Sequence, residues 1–277
     1  MPGEDGASSH GDVEAHLNYV APDAQPFVYR ASHGAEGQSR SEGALARHMV
    51  RIADARAGKT DFTLDSTGFA LVRHETAVTD FYDGQQVEDI YEPEVIKLVQ
   101  EITGAVRAVP FDHTLRTDSD SIRRERQVRD HVELVHNDYT ARSARRRVRD
   151  LMPPEEAEQL LSGRFAIVNV WRSTGGEVET TPLAMCDARS IADRDLIPVE
   201  RRAKDRIGEM QQAIFSPDHR WYWFSRMDRN EALIFKTFDS ATDGRARLSL
   251  HSAFTNPAAA PDARPRESIE TRVFAFF

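Results

Sequence analysis

Six short apolar runs, none long enough to cross a bilayer, decide what this chain can become. FALVRHETAV, AVRAVPFDHTLR, FAIVNVWR, RWYWFSRM, EALIFKTF and ETRVFAFF follow one another from about Phe62 to the C-terminus, separated by turn-forming residues. Branched and aromatic side chains suit a pleated, half-buried surface, so each run predicts a strand. A spanning helix needs about 18 or more consecutive apolar residues, and no such run exists. Two stretches have helical spacing instead. EPEVIKLVQEITG ends in a glycine suited to a helix C-terminus, and PPEEAEQLLSG opens with prolines and acids and stops at glycine. The arginine-rich stretch Arg142–Arg149 predicts another helix, and GAEGQSRSEGALARH reads as a loop leading into a short one. Early helices and a mostly β C-terminal half predict an α+β fold around a sheet sandwich or open barrel.

The chain shows no internal repeat and no long Pro/Gly linker, which predicts one domain over residues 13–277. The opening MPGEDGASSHGD predicts a disordered terminus over residues 1–12, without the basic and apolar regions of a signal peptide. Cys186 is the only cysteine, which rules out an intrachain disulfide and a thiolate metal cluster and points to a reducing cytoplasm. A net charge of −9 argues against a general nucleic-acid binder, and neither nucleic acid nor membrane is expected as a partner. Arg142, Arg145, Arg146, Arg147 and Arg149 run against that balance. They form either a solvated helix face or an electropositive rim for an anionic substrate.

Metal chemistry enters through histidine spacing. A mononuclear iron(II) oxygenase needs two histidines and one carboxylate on one face of the ion. His-x-Asp at a strand end supplies two of them, because residues i and i+2 point the same way. The pattern occurs twice, as His10-Gly11-Asp12 in the polar terminus and as His136-Asn137-Asp138 after HVELV, which reads as an alternating strand. The second is the candidate; His131-Val132-Glu133 is a rival further from the strand end. His251, in LSLHSAF, lies 113 residues beyond Asp138 and precedes the final strand, as the third ligand should.

Arg266-Glu267-Ser268 enters that strand, where a guanidinium fork with a neighbouring hydroxyl suits the distal carboxylate of 2-oxoglutarate. Arg-x-Ser alone is uninformative, since Arg30-Ala31-Ser32 and Arg247-Leu248-Ser249 also match. Its value lies in the order His-x-Asp, His, Arg-x-Ser. Arg272, on the same face of the same strand, competes for the anchoring role. Asn169 and Trp171 alternate toward one face of IVNVWR and are candidates to line the site, with plain core the favoured reading of Trp171. His113, in FDHTLR, reads as a core or pocket histidine more often than a ligand, and Arg116 either faces the pocket or pairs with an acid.

TDFYDGQQVEDIYEPEVIKLVQEITGA, FDHTLR, VHNDYT, IVNVWR, PLAMCDARSI, FKTFDS, HSAF and RESIETR together span about residues 13–277. In this series the chain resembles the fungal and bacterial iron/2-oxoglutarate oxygenases that include the cephamycin-pathway CmcJ protein, the fumigatonoid endoperoxidase and the gibberellin desaturase-like hydroxylases. The resemblance implies a double-stranded β-helix (jelly-roll) core flanked by helices, with Fe(II), 2-oxoglutarate and O2. It puts His136, Asp138 and His251 on the metal positions, with Leu250 where the family usually has proline. The expected activity is a hydroxylase, desaturase or cyclase acting on a small molecule of secondary or amino-acid metabolism. Two other readings stay open: an iron oxygenase that does not use 2-oxoglutarate, which succinate formation would separate, and a non-catalytic β-sandwich binding protein, which metal content would separate.

Overall fold

Alternation of side chains turns the predicted runs into two facing sheets. The computed structural model describes residues 11–25, 27–31, 39–57, 60–203 and 206–277. Residues 1–10 of the expected disordered terminus, His10 among them, lie outside the described residues, as does Ser32. Asp12 departs from that expectation, because its carboxylate accepts from Arg51 Nε at 2.9 Å and from the Asp54 amide at 3.0 Å.

The smaller sheet runs Phe69–Arg73, Glu231–Asp239, Phe165–Ser173, Glu267–Phe276, Arg107–Thr117, antiparallel throughout. Residues two apart share a face. Val168, Val170, Ile234 and Val273 therefore turn outward onto Val95, Leu98 and Val99 of the helix Glu92–Thr103. That helix begins with a proline in its first turn and ends at Gly104, whose φ of 73° is the left-handed conformation that glycine adopts without strain. The intervening residues, Asn169, Trp171, Glu270 and Arg272, face inward.

Among the described residues the larger sheet has ten strands. Its order is Val13–Val20, Leu45–Asp54, Trp221–Trp223, Leu183–Cys186, His251–Ala253, His136–Asn137, Arg206–Ala213, Leu196–Ala203, Val28–Arg30, Arg40–Ser41. Leu183 and Met185 from this sheet pack with Phe69, Trp171, Leu233 and Phe235 of the smaller one, so one core lies between the two. Burying a side chain of this size stabilises by about 1.5–3 kcal/mol, and these contacts hold the sheets face to face. The result is the α+β jelly-roll sandwich expected, with helices outside. No helix among the described residues is long and apolar enough to cross a membrane.

Two local expectations are corrected. The short helix placed at ALARH is part of the strand Leu45–Asp54, which pairs antiparallel with Val13–Val20 along its length. Backbone pairing with a distant segment decides this, and the exposed Leu45 and Met49 blur the alternation that Val50 and Ile52 carry. HVELV is not a strand either; only His136–Asn137 is. Its backbone bonds diverge, with the Val135 amide donating to the Asn18 carbonyl and the Val132 carbonyl accepting from the Ala253 amide. Of the predicted helices, Ala141–Leu151 starts at a Thr140/Ser143 capping box and Pro154–Ser162 follows it.

Candidate active site

Two short neighbouring strands of the larger sheet bring the histidines together. His251 and His136 are directly paired, their ring centroids 4.2 Å apart. His136 Nδ1 lies 2.6 Å from the Leu134 carbonyl and His251 Nδ1 lies 3.4 Å from the Ser249 carbonyl. A carbonyl only accepts, so each Nδ1 carries the proton and each Nε2 keeps its lone pair for a metal. Burial, then repulsion from His251, pushes His136 down to about 3, and burial likewise lowers His251. Both rings are therefore neutral, the state a metal ligand needs.

Asp138 completes the cluster from the bend after His136–Asn137. Its Oδ1 is 3.7 Å from His136 Nε2, and ligand atoms of His136, Asp138 and His251 all lie within 4.8 Å of one another. Oδ2 points the other way. It accepts from Asn169 Nδ2 at 2.9 Å and from Arg272 Nε at 2.8 Å, both on the smaller sheet. Burial would raise this carboxyl, but the Arg272 guanidinium beside it outweighs that and holds it well below the usual range. Two neutral imidazole nitrogens and one ionised oxygen converge, a donor set suited to iron(II) with open positions left over.

Arg266 and Arg272 occupy different surroundings. Arg272 is 2.6 Å from Asp112 Oδ2 and 2.5 Å from Glu270 Oε1 in addition to its bond to Asp138. Arg266 is buried, yet it has no carboxylate within ion-pair distance among the described residues. Its Nε donates to Ser268 Oγ at 3.2 Å, its Nη1 donates to the Thr181 carbonyl at 2.7 Å, and its guanidinium carbon lies 5.4 Å from the Trp171 ring centroid. Burial, then Arg116, lowers it to about 10. It lines the same cavity as His136, Asp138, His251, Trp171 and Arg116.

The other candidates fall outside the cluster. His131 stands between Asp130 and Glu133, at 2.8 and 3.4 Å, so the rival pair is engaged with itself. His113 joins Glu92 at 2.9 Å and Thr271 at 2.8 Å, tying a strand to the outer helix. Leu250 is buried in the core of the larger sheet. Sequence reasoning did not single out Glu270, or Arg129 and Arg201, which also line the cavity. The first looked like one polar residue in a strand, and the others lay among ordinary surface charges.

Comparison with known proteins adds independent findings. A sequence-family model described as an oxidoreductase/YMDC permease-like domain matches residues 17–276. The chain is 36% identical over 249 residues to the hydroxylase/desaturase CTB9 of Cercospora beticola, covering 82% of this chain and 76% of that protein. It is 34% identical over 276 residues to the Fe(II)/2-oxoglutarate-dependent dioxygenase nvfI of Aspergillus novofumigatus, covering 95% and 96%. A solved structure of the iron and alpha-ketoglutarate-dependent endoperoxidase NvfI matches with a TM-score of 0.85 at 32% identity, over 97% of this chain and 99% of the other.

Proposed function

Because the chain belongs to the iron(II)/2-oxoglutarate-dependent oxygenases of the hydroxylase/desaturase and endoperoxidase kind, we propose that His136, Asp138 and His251 hold its iron and that Arg266 with Ser268 anchors 2-oxoglutarate. The protein is a dioxygenase whose metal is iron(II) and whose co-substrates are 2-oxoglutarate and O2. When bound, iron supplies the oxidative decarboxylation of 2-oxoglutarate to succinate and CO2, and with it the power to oxidise a substrate C–H bond.

The chain's own residues position and tune. The Leu134 and Ser249 carbonyls fix the imidazole tautomers. Arg272 and Asn169 keep Asp138 ionised and turned so that Oδ1 faces His136. Arg266, stacked against Trp171, offers the rest of its fork to the distal carboxylate of the co-substrate while Ser268 holds Nε. We assign these tasks to one domain over residues 13–277, since both sheets feed one site. The substrate is a small molecule of secondary or amino-acid metabolism, oxidised in the cytoplasm, and an acidic chain suits this better than a nucleic acid.

The observation that carries the assignment is the convergence of three ligand atoms within 4.8 Å, beside a buried guanidinium without a carboxylate partner among the described residues. Anaerobic calorimetry with iron(II) and then 2-oxoglutarate tests it, expecting one of each per chain. Screening small molecules for coupled succinate release follows. Absence of 2-oxoglutarate binding to the iron-loaded chain would sink the assignment. Stoichiometric succinate release driven by a histone peptide or alkylated DNA alone would sink the substrate class.

A further inference from the structure

Beside Asp138 lies a cavity of about 260 Å³ walled by arginines, to which Arg266 does not contribute. Arg129, Arg147, Arg201 and Arg206 line it together with Arg272, Tyr139, Asp112 and Asp138. They come from three separate segments: Arg129 from the approach to the metal motif, Arg147 from the helix Ala141–Leu151, and Arg201 and Arg206 from adjacent strands. The two acids are already committed, both to Arg272. Among the described residues no carboxylate lies within ion-pair distance of the four other guanidinium groups, and Arg147 Nε is buried without any hydrogen-bond partner.

Scarcity of acid does not explain this, since the chain has 45 acidic residues against 36 Lys and Arg. Neighbouring arginines do find partners. Arg142 pairs with Glu209, Arg146 with Asp150, Arg149 with Glu158 and Arg202 with Glu200. Among the described residues, Arg129, Arg147, Arg201 and Arg206, which line the cavity, have no such partner. Burial lowers Arg129, Arg201 and Arg206, and the next contribution to each is repulsion from another arginine, namely Arg116, Arg272 and Arg147 respectively. Cations crowded in this way cost stability until an anion arrives. The cavity adjoins the candidate metal centre, because Arg129, Asp138, Arg201 and Arg272 line both.

We propose that Arg129, Arg147, Arg201 and Arg206 bind a carboxylate of the substrate, so that the small molecule oxidised here is an organic acid. The inference rests on the oxygenase reading, which places 2-oxoglutarate at Arg266 and leaves this second cationic cavity for the substrate. Forked guanidinium contacts on a carboxylate are directional, so the acid group sets which C–H bond faces the metal.

The test uses the full chain loaded anaerobically with iron(II) and 2-oxoglutarate, titrated by calorimetry with cyclohexanecarboxylate and with its neutral twin cyclohexanecarboxamide. Saturable binding of the carboxylate alone is expected. Arg201→Gln and Arg206→Gln should each weaken it roughly tenfold or more, with 2-oxoglutarate affinity held within about twofold. Arg146→Gln, beside Arg147 on the helix Ala141–Leu151 and paired with Asp150, should change neither. Should either variant fail to fold by circular dichroism, Arg147→Gln takes its place. Equal binding of the carboxamide, no saturable carboxylate binding, or carboxylate affinity unmoved by the substitutions overturns the proposal. So does loss of 2-oxoglutarate affinity in these variants, which would hand the arginines to the co-substrate while leaving the oxygenase reading intact. Failure of the unmodified protein to take up 2-oxoglutarate is a separate result that sinks the oxygenase reading, and the substrate inference with it.

Discussion

The two arginines at the start and middle of the terminal strand are six residues apart and live in opposite electrostatic worlds. Arg272 meets three carboxylates, those of Asp138, Asp112 and Glu270. Arg266 meets a hydroxyl, a carbonyl and an indole face. The same side chain on one terminal segment is in one case matched by carboxylates and in the other held only by neutral groups. A buried guanidinium whose charge is already matched has little left for a ligand, whereas one held only by neutral groups binds an incoming carboxylate without first breaking an ion pair.

The most drastic way to sharpen this contrast is to remove the candidate metal ligands that share the cavity with both arginines. His136→Ala, Asp138→Ala and His251→Ala should each abolish iron-dependent activity while the far-ultraviolet circular dichroism spectrum stays unchanged; full activity in any one would remove that residue from the ligand set. Next comes Arg272→Ala. Breaking a buried ion pair from one side costs about 3–5 kcal/mol, because a charge is left behind without its partner. Urea denaturation of this variant should show a loss in that range, and Arg272→Lys should recover part of it.

Arg266→Ala should behave differently. Stability should fall much less, while the 2-oxoglutarate KM should rise roughly ten- to a hundredfold, since about 1.4 kcal/mol corresponds to a factor of ten. Iron affinity without co-substrate should not move, and lysine should rescue only in part because a point charge cannot reproduce the fork. If Arg272→Ala raises that KM and Arg266→Ala does not, the roles are reversed. Ser268→Ala should have the smallest effect on 2-oxoglutarate, on the order of one neutral hydrogen bond at about 1 kcal/mol. Chelating the iron should lower the melting temperature only slightly, because Arg272 still matches the Asp138 charge; a collapse on metal removal would show that the pairing does not suffice.

Much of the sandwich was legible before folding. Branched and aromatic runs marked Phe165–Ser173, Glu231–Asp239 and Glu267–Phe276, and a proline start with Gly104 at the end bounded the helix over 92–103. The strand Leu45–Asp54 was not read, because backbone bonds hold it to Val13–Val20 while much of it stays in contact with solvent; Val13–Val20 itself was overlooked although Val13, Ala15, Leu17 and Tyr19 alternate into the core. His136, Asp138, His251 and Arg266 stood out through spacing and order along the chain. The choice between Arg266 and Arg272 did not, since both lie on the terminal segment and face the same cavity.

Local pattern determines what one strand or one helix turn can satisfy alone: pleat, cap, tautomer tether and the i, i+2 reach of His136 and Asp138. Partnership of charges depends on separations of a few ångströms between groups tens or hundreds of residues apart, and Coulomb attraction acts across folded space irrespective of position along the chain. Asp112 reaches Arg272 across 160 residues, and Arg129, Arg147, Arg201 and Arg206 gather around one cavity from three segments. Which arginine is neutralised by carboxylates and which is not was therefore decided only when the two sheets closed on each other.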